Sequence, residues 1–157
     1  MDTTVSATAP PDKHEMTMVD RRYPELWLAI AGFLVAFAWE MFQMPFYNMS
    51  GMTAWQVTKS CALASVGDAG IMVASAWTAD RVTRGGLWAA PLRASPLVIY
   101  LAIGIAVTIA VERIALRSEW GWQYSDFMPT VLSVGMVPIA MWVVVPFVSL
   151  YLASRLR

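Results

Sequence analysis

Apolar and polar positions separate into long blocks along this chain, not into the short alternation of strands. Residues 1–22 are polar, small and proline-containing with no apolar period, and four apolar runs follow at about 25–47, 60–79, 96–116 and 129–153. Each run is long enough for a helix to cross a hydrocarbon core of roughly 30 Å, which takes about 20 residues. The pattern predicts an all-α integral membrane protein, with a disordered tail over 1–22 and a four-helix transmembrane bundle over 23–157. The second run, SCALASVGDAGIMVASAWTA, is rich in Ala, Ser and Gly. Small residues let helices approach closely, so this helix is expected inside the bundle.

Composition agrees with that class. Of 157 residues, 58% are hydrophobic and 14% charged, with a mean hydropathy of +0.54. Soluble domains carry nearly twice that share of charge. Zero formal net charge suggests no nucleic-acid partner. One cysteine, Cys61, rules out an internal disulfide or a CxxC site, and the one histidine, His14, lies in the tail. Neither a cofactor nor a metal is therefore expected, although oxygen ligands alone would suit Ca²⁺, Mg²⁺ or Mn²⁺. The Arg21–Arg22 pair lacks the flanks of a twin-arginine signal and reads as a charged anchor before a span.

Basic residues set the orientation. Four spans put both termini on the side of the 80–95 loop. That side carries Lys13, Arg21, Arg22, Arg81, Arg84, Arg93, Arg155 and Arg157, against Lys59, Arg113 and Arg117 on the other. The bias predicts a multi-pass inner-membrane protein with both termini cytoplasmic.

Three acids interrupt the apolar runs: Glu40, Asp68 and Glu112. At 1.5 Å per residue they fall about 10, 12 and 6 Å below the outer ends of their spans, all in the outer half of the bilayer. Each shares a helical face with polar or small residues. Glu40 lies with Gln43 and Tyr47; Asp68 with Cys61, Ser65, Met72 and Ser75; Glu112 with Gly104 and Thr108. The last run offers Gly135, Pro138, Trp142 and Pro146 on one face. Charge at membrane depth is costly, so these faces should turn inward and form an outward-opening carboxylate pocket. Three clustered acids cannot all ionise cheaply, so at least one should keep its proton unless a cation joins them. Glu40 and Asp68 are the candidate acid–base pair, Glu112 the third member, and Gln43 and Tyr47 candidate ligand contacts.

The connection RSEWGWQYSDFMP, 117–129, lies on the same outer side. Its aromatics read as an interfacial belt or as a lid over the pocket. In the lid reading Trp120, Trp122 and Tyr124 are substrate contacts. Pro45, Pro138 and Pro146 lie in or near helix ends, where each is expected to free a carbonyl four residues earlier.

The motifs W-E-x-x-Q-x-P-x-Y, Trp39 to Tyr47, and W-x-Y-S-x-x-M-P, Trp122 to Pro129, resemble those of a group of small bacterial four-span membrane proteins. The likeness covers roughly Trp39 to Pro129 and implies that the polar positions act together. The chain departs from that pattern at Ser60, where the group has His, and at Met141, where it often has Gln. Architecture alone also compares with membrane-embedded isoprenoid cyclases and sterol isomerases, which protonate apolar substrates with buried carboxylates.

Three functions fit these features. The first is an accessory subunit or assembly factor of a membrane complex. The alternatives are a membrane-embedded acid–base enzyme of cyclase or isomerase type acting on an isoprenoid or other lipid-like substrate, and a proton- or cation-coupled transporter. The partners these imply are membrane lipid, an apolar small molecule, and either other subunits or a second copy of the chain.

Overall fold

A computed structural model of the chain describes residues 24–88, 93–118 and 122–156; the 1–22 tail and Trp120 lie outside the described residues. Its four long helices are α1 (Pro24–Gln43), α2 (Ala54–Val82), α3 (Ala94–Ala115) and α4 (Met136–Leu156). All four are long and apolar enough to cross a membrane, so this is a multi-pass membrane protein. They run alternately up and down in a ring, in which α1 packs on α2 and α4, and α3 packs on the same two.

Local sequence accounts for the helix ends. Pro24 takes the first helical position of α1, where no backbone hydrogen bond is lost, and Glu25 sits in the first turn. The residue before a proline avoids helical geometry, so α1 gives way at Gln43 to a 3₁₀ turn, Met44–Phe46, around Pro45. Tyr47 then leaves in extended geometry. A capping box starts α2: the Gln56 amide donates to the Thr53 hydroxyl while the Thr53 amide donates to the Gln56 side chain at 2.8 Å. Gly85 takes a φ of +85° just past the end of α2, and its amide donates to the Asp80 carbonyl at 2.8 Å.

Two boundaries differ from the sequence expectation. Helix α2 has 29 residues, not the twenty or so of its apolar run. Cys61 Sγ lies 3.5 Å from Met44 Sδ, level with the end of α1. Residues 54–60 therefore stand beyond the other helices, about 10 Å of extra length. Helix α4 starts at Met136, not near 129. The intervening residues form a two-stranded hairpin, β1 (Thr130–Val131) with β2 (Val134–Gly135), in the register Thr130↔Gly135 and Val131↔Val134. Leu132 and Ser133 turn it with φ of 51° and 63°, left-handed geometry at both central positions.

The expectation that α2 lies wholly inside also needs correction. One stripe, including Cys61, Ser65, Ala69, Met72, Ser75 and Ala79, is buried. Gly67 and Gly70 lie on its exposed side, where an added Cβ would meet nothing within 4 Å. The close approaches fall elsewhere. Gly32 of α1 sits against Met72, and Gly104 of α3 sits against the indole of Trp142 so tightly that a methyl group there would overlap the ring. Trp142, Tyr100, Leu28, Met72 and Val145 fill the centre. Large apolar side chains such as Leu34 and Phe147 remain exposed around the outside, as suits a surface against lipid.

Candidate functional site

The end of the bundle that holds the end of α1, the start of α2, the end of α3 and the start of α4 encloses a cavity of about 790 Å³. That volume falls within the range of small-molecule sites. Glu40, Asp68 and Glu112 all line it, as do Gln43, Tyr47 and Trp122. The helical stripes read from sequence place them there. Glu40 and Gln43 are one turn apart at the end of α1, and Glu112 lies one turn before the end of α3. Asp68 is seven residues below Cys61 on α2, about 10 Å deeper than the end of α1.

The three carboxylates differ in their partners. Glu40 is 8% exposed, and Gln43 Nε2 donates to its Oε1 at 2.8 Å. Trp39 Nε1 in turn donates to Gln43 Oε1 at 3.1 Å and fixes which way the amide faces. Glu112 is 4% exposed, and its Oε2 accepts from Trp122 Nε1 at 3.3 Å and from the Tyr124 hydroxyl. The Tyr47 hydroxyl also faces Glu112. Asp68 is partly buried and accepts no hydrogen bond from the described residues, so both its oxygens are free toward the cavity.

Backbone pairing holds the cap. Tyr47 and Tyr124 form an antiparallel bridge, flanked by Asn48 N–H to Gln123 C=O at 2.9 Å and Ser125 N–H to Phe46 C=O at 3.0 Å. The Ser125 hydroxyl adds a bond to the Pro45 carbonyl at 2.8 Å. This fastens 122–125 to the end of α1, with the Trp122 ring edge-on to Tyr47 at 6.3 Å. Trp122 and Tyr124 therefore turn inward onto Glu112, whereas Phe127 is 76% exposed, as an interfacial aromatic would be.

The chain matches no family model, no curated protein and no solved structure. Function must therefore be argued from the cavity itself.

Tyr124 is held from behind. Its hydroxyl accepts from the Gly135 amide at 2.8 Å while donating to Glu112. A Cβ at residue 135 would lie 2.9 Å from that oxygen, so the close approach requires glycine. Burial pushes the Tyr47 hydroxyl above its ordinary value, and the carboxylates of Glu112 and Glu40 push it further. Burial, followed by the bond to Glu112, does the same to Tyr124. Both phenols thus keep their protons and serve as hydrogen-bond donors to Glu112.

Several site residues carried no clear sign in sequence. Trp39 belongs to the chain of bonds through its spacing from Gln43, a cue present but open to many readings. Four methionines, Met44, Met49, Met52 and Met141, line the cavity and give it a soft apolar wall. Of the three prolines, Pro138 falls in the first turn of α4 and disrupts no helical bond, so only Pro146 lies in a helix interior. Among the described residues no group of three or more His, Cys, Asp or Glu converges closely enough to hold a metal ion. Nor does any described lysine or arginine line the cavity.

Proposed function

We propose that this protein is a membrane-embedded acid–base enzyme acting on a neutral, lipid-like substrate, with Glu40 and Asp68 as its proton-transferring pair. One observation carries this reading: the three intramembrane carboxylates line one cavity, and Asp68 accepts no hydrogen bond from the described residues. The donor to Glu40 comes from its own helix, while Glu112 takes its donors from the cap, Trp122 and Tyr124 of the segment after α3 and Tyr47 of the segment after α1. Polar groups that serve as glue between membrane helices bond across them. Glu40 and Asp68 make no such bond among the described residues and face a shared cavity.

The chemistry follows from the free acceptor positions. A carboxyl O–H on Asp68 or Glu40 gives its proton to a substrate alkene carbon, forming a C–H bond and leaving a cation on the neighbouring carbon. The other carboxylate removes a proton from an adjacent carbon and restores a double bond. The net change is an isomerisation, with no oxidant or reductant consumed. Trp122, Tyr47 and Trp142 present aromatic surface to the developing charge. Glu112 uses one oxygen on Trp122 and Tyr124, so its part is to hold the cap in place. In this reading the site end faces outward and both termini face the cytoplasm of the inner membrane, from the distribution of basic residues.

The test compares lipid extracts of cells expressing the protein or its Glu40→Gln variant. The expected result is a lipid pair of equal mass and different retention time, whose ratio shifts with the wild type and not with the variant. Identical extracts, together with a stoichiometric protein partner on native purification, would replace this reading with that of an accessory subunit.

A further inference from the structure

The cavity is open on one side. Leu63 and Gly67 of α2 and Val111 of α3 line it and are also exposed on the outer surface, Leu63 at 74% and Val111 at 42%. An added Cβ at Gly67 would touch nothing within 4 Å. The gap between α2 and α3 thus faces the lipid at the depth of Asp68. An alkyl chain can lie across Leu63, Gly67 and Val111 while the group it carries reaches the carboxylates.

The polar wall is one-sided. Among the described residues it holds three carboxyl groups and no basic side chain. Its donors among the described residues are neutral hydroxyl, amide and indole groups, and two of them, Trp122 and Tyr47, are already directed at Glu112. Glu40 is buried with one oxygen bonded to Gln43 and the other unbonded, and Asp68 has both oxygens open. The charge imbalance is the deciding feature: an anionic head would meet like charge with no cationic side chain among the described residues to offset it. A cation would find carboxylates and aromatic faces together.

We propose that the cavity admits single-chain amphiphiles sideways through the α2–α3 gap, and that it selects a protonated amine head and rejects phosphate. This deepens the proposed function, since a fixed ammonium resembles the cationic carbon of the reaction and should bind as its mimic. The selectivity belongs to the cavity and does not require turnover.

The experiment uses the full chain in nanodiscs of zwitterionic lipid with three photoreactive probes. All three share one diazirine-bearing alkyl chain, ending in a primary amine, a hydroxyl or a phosphate monoester. Cross-linked peptides are mapped by mass spectrometry. The amine should label α2 and α3 at least about tenfold more than either other probe, a difference of about 1.4 kcal/mol. Asp68→Asn should lower amine labelling by a similar factor. Gly67→Trp, which fills the gap without touching a carboxylate, should abolish it while the protein elutes and melts as the wild type does. Equal labelling by the phosphate or hydroxyl probe would overturn the proposal, as would labelling unchanged by both substitutions. Selective amine labelling combined with unchanged lipid extracts for Glu40→Gln would refute only the catalytic reading. Altered extracts with unselective labelling would refute only this one.

Discussion

Replacing Tyr124 with Phe removes one oxygen and breaks two hydrogen bonds. The hydroxyl accepts from the Gly135 amide at 2.8 Å and donates to Glu112. A neutral bond contributes about 1 kcal/mol net, and one to a charged group about 1.5–3 kcal/mol. Gly135 is buried, so its amide loses its partner without gaining bulk water. The sum is a loss of about 2–4 kcal/mol, with the lower end favoured because the cavity side of Glu112 can be rehydrated. The assay is reversible unfolding in mixed micelles of mild detergent and SDS, followed by far-ultraviolet circular dichroism. A double-mutant cycle with Glu112→Gln isolates the carboxylate bond from the amide bond. The expected coupling is about 1.5 kcal/mol, roughly a tenfold change in the unfolding constant. Coupling below about 0.5 kcal/mol, the ordinary scatter for independent sites, would mean that Tyr124 does not hold Glu112.

Other outcomes follow from neighbouring geometry. Gly135→Ala should cost about 1–3 kcal/mol by driving a methyl group against the Tyr124 hydroxyl, and the loss should shrink in a Tyr124→Phe background. Gly104→Ala should destabilise by a similar amount or more, since Trp142 is fully buried and has little room to retreat; unchanged stability in the same unfolding assay would contradict the close contact. Tyr47 gives a pH signature. Its folded-state pKa is raised, so the stability it contributes is complete below about pH 10 and declines above it. The slope should be about 1.4 kcal/mol per pH unit. Tyr47→Phe should remove that slope between pH 10 and 11, while Tyr124, more open to solvent, should add less.

The sequence was most legible where chemistry followed helical spacing. Glu40, Gln43 and Tyr47 fall on one face because 3.6 residues make a turn, and the cost of charge in lipid turns that face inward. The start of α2 is written in capping residues outside its apolar run. Thr53 and Gln56 spell a capping box, whereas Trp55, Gln56 and Lys59 end the apolar run before the helix ends. Hydropathy marks what lies in the bilayer; capping marks where the helix starts. The hairpin at 130–135 had no such cue. Thr130, Val131 and Val134 read as one apolar run with α4, and Leu132 and Ser133 are not residues that announce a left-handed turn. The aromatics of 122–124 were visible as composition. Their direction depends on backbone pairing with residues 46–48, a contact that no local pattern specifies.

The spacing of those hydrogen bonds bears on how the protein is made. The partner of Glu40 is three residues away and Gln43's own donor four away, while two partners of Glu112 lie ten and twelve residues downstream. A nascent first helix therefore enters the bilayer with its acid already sheltered by its own turn. Glu112 gains two of its partners once the next twelve residues emerge from the ribosome. The fastening of 122–125 to 45–48, with Ser125 bonded to Pro45 across 80 residues, must wait for the later helices. Asp68 receives no such local shelter, so during synthesis it depends on neighbouring helices or on water. The α1–α2 hairpin should accordingly be the slow step of insertion, and substituting Asp68 with Asn should speed it even as it damages the finished site.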